Sequence, residues 1–98
     1  MEKEKNVTKE EDYKDLPSFK MRRLDCLKQQ TKNGEEYYMF NGIVRFGDKA
    51  QLLTFFTKDE DLYTEVLAIP VNHDFNLYYE LYLDYQNNWK VKPVAVSL

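Results

Sequence analysis

Cysteine, histidine and tryptophan each occur once in these 98 residues, and glycine and proline three times each. A single cysteine, Cys26, excludes an internal disulfide and leaves no cysteine-built zinc site; it reads as a small core residue. His73, in Asn72-His73-Asp74, stands without a nucleophile or metal partner and reads as a turn residue. There is no glycine-rich phosphate loop and no His/Cys cluster. Asp59, Glu60 and Asp61 are accounted for as acids at a helix start. Neither catalytic residues, nor a metal, nor a cofactor is therefore expected, and an enzyme is not. No apolar run approaches the roughly 20 residues that span a bilayer, and the charged beginning is unlike a secretory signal. A reducing cytoplasm without membrane attachment is the natural expectation.

A basic surplus is also missing. Net charge is −3, which argues against a generic basic nucleic-acid binder while leaving room for a local basic stripe. The charge is concentrated at the start. MEKEKNVTKEEDYKDL holds ten charged side chains and little to bury. Residues 1–17 are therefore expected to be a disordered tail. Residues 18–98 are expected to form one small domain, near the size where a single core is barely sufficient.

What the chain does have is aromatics, 15% of its residues, concentrated after residue 36 and suited to strands. Three turn signals divide them. Asn33-Gly34 is a strong hairpin pair. Gly47-Asp48 puts glycine first, as a tight II′ turn requires, and Gln86-Asn87-Asn88 is a weaker version. Five strands follow, over residues 19–31, 35–45, 49–57, 75–85 and 89–96. Between the third and fourth, Thr57-Lys58-Asp59-Glu60 reads as a capping box opening a helix over 59–68. Leu62 and Val66 would share one face of that helix, and Pro70 would stop it. Pro93 places the fifth strand at a sheet edge.

Two-residue turns would fix the register. Gly47-Asp48 pairs Val44 with Gln51, Gly42 with Leu53 and Phe40 with Phe55. Asn33-Gly34 pairs Gln29 with Tyr38, Leu27 with Phe40 and Arg23 with Val44. One face then carries Leu24, Cys26, Met39, Ile43, Ala50, Leu52 and Phe56, mostly aliphatic, and is expected to be the interior. The other carries Arg23, Tyr38, Phe40, Phe46, Lys49, Leu53 and Phe55, a mixture of rings and cations that is expected to face solvent. Exposed rings on a sheet suit single-stranded nucleic acid, because bases stack on them while cations follow the phosphates.

The strand-strand-strand-helix-strand-strand order resembles the five-stranded Greek-key barrel of the OB type, with the helix between strands three and four plugging one end. An SH3-like barrel and an α+β sheet with one helix are the alternatives. The stretch KNGEEYYMFNGIVRFGDKAQLLTFFTKDEDLY looks like the small single-stranded-DNA-binding proteins of phages and mobile elements. Size and element order are also similar to the OB-like "middle protein" that accompanies a primase-polymerase in staphylococcal cassette elements. The resemblance implies a single-stranded-DNA-binding or replication accessory protein of a mobile element, acting with a larger primase, polymerase or helicase. Its expected contact residues are Arg23, Lys32, Tyr38, Phe40, Phe46, Lys49, Phe55, Trp89 and Lys90. The chain departs from bacterial single-strand binders in ending on Val94-Ala95-Val96-Ser97-Leu98 rather than an acidic tail. A protein-interaction module or phage-encoded inhibitor of a host protein is the competing reading, and a homodimer closed by the same face is a third.

Overall fold

The computed structural model describes residues 13–98, so most of the expected tail lies outside the described residues. Five strands, β1 (Ser18–Gln30), β2 (Glu36–Phe46), β3 (Lys49–Thr57), β4 (Asp74–Leu83) and β5 (Trp89–Ser97), form one antiparallel sheet in the order β3-β2-β1-β4-β5. One helix, α1 (Glu60–Leu67), connects β3 to β4. β3 and β5 are the two edges, and no ladder joins them. β1 is long enough to serve two neighbours: residues 18–22 pair with β4 and residues 22–30 with β2. The ordered chain also reaches back beyond the expected boundary at residue 18. The Tyr13 ring lies 4.6 Å from that of Tyr78, and Tyr79 N–H donates to the Pro17 carbonyl.

The turn chemistry explains what is right and wrong in the expected register. Phe46 and Lys49 face each other across Gly47-Asp48, with Gly47 at φ +67°, so the β2–β3 pairs are those the sequence predicts. Across the β1–β2 connection the pairing slips by one, to Gln29↔Tyr37 and Leu27↔Met39. Here only Gly34 takes a positive φ, and Thr31 and Glu35 close a five-residue loop in place of the tight turn. A bulge between Arg23 and Cys26 then shifts the register again, to Arg23↔Gly42. The Asn41 side chain accepts from the Asp25 N–H within it, so the bulge leaves no orphaned donor there.

The expected interior is the wrong face. The buried apolar residues are Met21, Tyr38, Phe40, Val44 and Phe55 from β1–β3, Phe75 and Leu77 from β4, Ala95 from β5, and Leu62, Val66 and Ile69 around α1. Leu52 and Phe56, expected inside, are more than half exposed. A curved sheet closed by one two-turn helix encloses a space that rings fill better than short aliphatics can. Phe40 and Phe55 pack with ring centroids 5.6 Å apart, and Phe19 adds its edge to Phe55 at 6.1 Å. Gly42 belongs to this inward row because Met21, fully buried, occupies the space where a side chain would be.

The helix docks through Leu62 and Val66 and is capped by Asp59, whose Oδ1 accepts from the Leu62 N–H at 3.1 Å. Thr57, expected as the cap, instead accepts from the Asp59 N–H one step earlier. No basic residue lies in the last turn. Arg23 of β1 supplies the missing charge: only 7% exposed, it donates from Nε to the Val66 carbonyl and from Nη1 to the Leu24 carbonyl. A guanidinium aimed at a helix C-terminus adds a charge-assisted bond to a carbonyl that also accepts from the Ile69 N–H, and it meets the negative end of the dipole. The Arg23 backbone also bonds to Asn72 and His73, so one residue ties the helix exit to the central strand. Arg23→Met keeps the aliphatic stem and removes both charge-assisted bonds, while the Val66 carbonyl keeps the Ile69 N–H. It should cost about 2 kcal/mol, read as a lowered urea midpoint with an unchanged slope.

Candidate nucleic-acid interface

Because side chains alternate along a strand, burying Tyr38, Phe40 and Phe55 sends their neighbours Tyr37, Met39 and Phe56 to the outer surface. The ladder places Leu27, Met39 and Phe56 in one row across β1, β2 and β3, and Gln29 and Tyr37 in the next. The Tyr37 and Phe56 rings meet at 6.1 Å. Two hollows adjoin here and share Phe56, Thr57 and Lys58. One runs towards Thr31 and Tyr37. The other, about 500 Å³, runs across the unpaired seam to Glu80, Tyr82, Lys92 and Pro93 of β4 and β5. Three rings (Tyr37, Phe56 and Tyr82) and two lysines thus line one groove between the β1–β2 loop and the β4–β5 hairpin.

The groove's electrostatics are balanced. Lys58 Nζ lies 3.5 Å from Glu35 Oε1, an exposed pair that water screens and that a competing anion can displace. Lys28 Nζ lies 3.2 Å from Glu36 Oε2, and the hydrogen bond to that carboxylate raises the Lys28 pKa. Lys92 sits opposite Glu80, and Lys90 opposite Tyr82. At the other end of the same outer face, Lys20, Arg22 and Arg45 gather around Ile43 and Ala50, with Asp74 beside them, 3.2 Å from Arg22 Nε.

The expected contact residues divide accordingly. Tyr38, Phe40 and Phe55 are core, and Arg23 is committed to the helix end, so none of the four presents its side chain to a ligand. Phe46 and Lys49 are exposed beside the β2–β3 turn, away from the three rings. Lys32 is exposed in the loop beside Thr31, and Trp89, 67% exposed, and Lys90 begin β5. The structure therefore keeps Lys32 and Lys90 at the groove's margins and introduces Tyr37, Phe56, Lys58, Tyr82 and Lys92, which the sequence reading missed. Cys26 is half-buried against the core, and burial pushes its thiol pKa up, the nearby Arg23 guanidinium pulling less strongly the other way. Among the described residues no group of His, Cys, Asp and Glu could hold a metal ion, and no helix is long and apolar enough to cross a membrane. Comparisons with family models, with curated proteins and with solved structures find no match to this chain.

Proposed function

We propose that this chain is an OB-like domain that binds single-stranded nucleic acid in the groove of Tyr37, Phe56 and Tyr82, as a replication accessory protein of a mobile element. The strand order, the long β1 shared by β2 and β4, and the helix between β3 and β4 support the OB-like reading, with the barrel left open at the β3–β5 seam. The observation that carries the functional reading is the exposure of Phe56, 58%, at the centre of three rings with Lys58 and Lys92 beside them. Flat rings offer stacking surface to any base, and flexible lysines follow the phosphates without reading sequence. The net charge of −3 makes the free domain a weak binder, because phosphate neutralisation carries much of such affinity. Action beside a larger primase, polymerase or helicase, in a reducing cytoplasm where Cys26 stays a thiol, fits that balance.

The test is fluorescence anisotropy with a labelled single-stranded oligonucleotide, at low salt and with the replication protein of the native host added. Phe56→Ala should weaken binding by about 1–3 kcal/mol, roughly 5- to 150-fold, and should leave the melting curve nearly unchanged because the ring is exposed. Raising the salt should weaken binding further, as phosphate contacts are screened. No binding in either setting, or a Phe56→Ala variant as tight as the parent, would reject the proposal.

A further inference from the structure

A second surface is chemically unlike the groove. On the concave side of the sheet a trough runs between the β2–β3 and β4–β5 hairpins, with Phe46 and Leu53 on one wall and Leu81 and Val91 on the other. Among the described residues no charged side chain lines it. Such a lining suits an apolar occupant better than a phosphate backbone, with Lys49 reaching it only at the edge opposite Phe46. Beyond its end the β4–β5 hairpin runs on as a ridge carrying Leu83 and Trp89, a directly facing pair. Phe46, Leu81, Leu83, Val91 and Trp89 are each between two-fifths and two-thirds exposed.

We propose that a second copy of this chain covers this surface, the Leu83–Trp89 ridge of each protomer lying in the trough of the other. Three properties favour a copy over another partner. An isologous contact needs one patch holding both a protrusion and a matching recess, and here the two adjoin on the same hairpin. The patch must also tolerate its own image. The hairpin's charges cause no conflict: Glu80 faces Lys92 across the ladder, and Asp84 Oδ1 accepts from the Gln86 and Asn88 N–H groups, so no one-sign rim repels a copy. Finally, the five side chains expose roughly 600 Å², judged from the size of such groups. That is at the upper end for a single patch on a monomer and close to the ~800 Å² that each partner gives to a standard interface. Tyr85, 92% exposed at the hairpin tip, adds to it.

Sedimentation velocity on the full chain, from low micromolar to near-millimolar concentration, tests this directly. The mass should rise from monomer to dimer, and the emission of Trp89, the only tryptophan, should shift to the blue over the same range. Leu83→Glu with Trp89→Ser should weaken the association at least about tenfold. The far-ultraviolet spectrum and melt should hold, because both side chains are exposed. Should that variant fold poorly, the concentration-dependent Trp89 shift of the parent chain decides alone. A chain that stays monomeric throughout overturns the proposal. So does a dimer whose formation leaves Trp89 emission unmoved, or one that a folded double variant forms as tightly as the parent.

Discussion

Phe40→Ala is expected to leave the protein largely unfolded at physiological temperature. The ring is fully buried, packs on Phe55 and sits in the cluster formed by Met21, Leu62, Val66 and Phe75. Truncating such a ring removes its transfer free energy and leaves a cavity that the sheet, held by ladders on both sides of β2, has little freedom to close. The loss should be about 3–5 kcal/mol. A domain this small has only about 5–10 kcal/mol in total. Differential scanning calorimetry should therefore show the midpoint lowered by more than about 12 °C, at 4–8 °C per kcal/mol. Phe56→Ala, on the opposite face of the neighbouring strand and paired with Met39, is the matched control and should move the midpoint by no more than a few degrees. If the two variants melted alike, the assignment of inner and outer faces would be wrong.

Gly42→Ala should be nearly as damaging, for the opposite reason. A Cβ at this position would lie on top of the Arg22 carbonyl oxygen and within 2.8 Å of Met21 Cγ and 2.9 Å of Met21 Cε. Met21 can retreat; the carbonyl belongs to the backbone of the paired strand and cannot move without parting β1 from β2. The expected cost is about 3 kcal/mol, towards the upper end for overpacking a core. Gly34→Ala offers a contrast, because nothing lies within 4 Å of it and only its φ of +86° resists a side chain. About 1 kcal/mol should be lost there. Met21→Ala added to Gly42→Ala should fail to restore stability, since it clears the side-chain overlap and leaves the carbonyl in place. Chemical denaturation of the three variants separates these contributions, and a rescue by Met21→Ala would show that the strands can part after all.

Gly42 also shows how much could be read from the chain alone. The strands, the helix and the β2–β3 register were legible because Gly47-Asp48 admits a short list of turns and each turn dictates a pairing. The choice of interior was not, because both faces of β2 and β3 are apolar, and Arg23 and Lys49 weighted the ring-bearing face towards solvent. Arg23 is buried by a partner that no local pattern announces, the C-terminal end of a helix some forty residues away. The bulge was equally hidden, being held by the Asn41 side chain from across the ladder. A glycine in mid-strand was the one available clue, since it often marks a close backbone approach. With Gly42 placed inward, Tyr38, Phe40 and Phe55 follow it into the core, and Tyr37 and Phe56 become the outward-facing rings.

The position of β1 between β2 and β4 also governs the order in which the fold can form. The β1–β2–β3 meander joins strands through short connections and can assemble within microseconds of leaving the ribosome, as hairpins do. Its other neighbour, β4, first meets it where Met21 pairs with Phe75, eighteen residues after β3 ends at Thr57. At ordinary rates of synthesis that gap lasts roughly one to four seconds. During it the β1 edge is unpaired and the Phe40–Phe55 face lacks both the docked helix and β4, a nascent sheet with its future interior open to any chaperone or neighbouring chain.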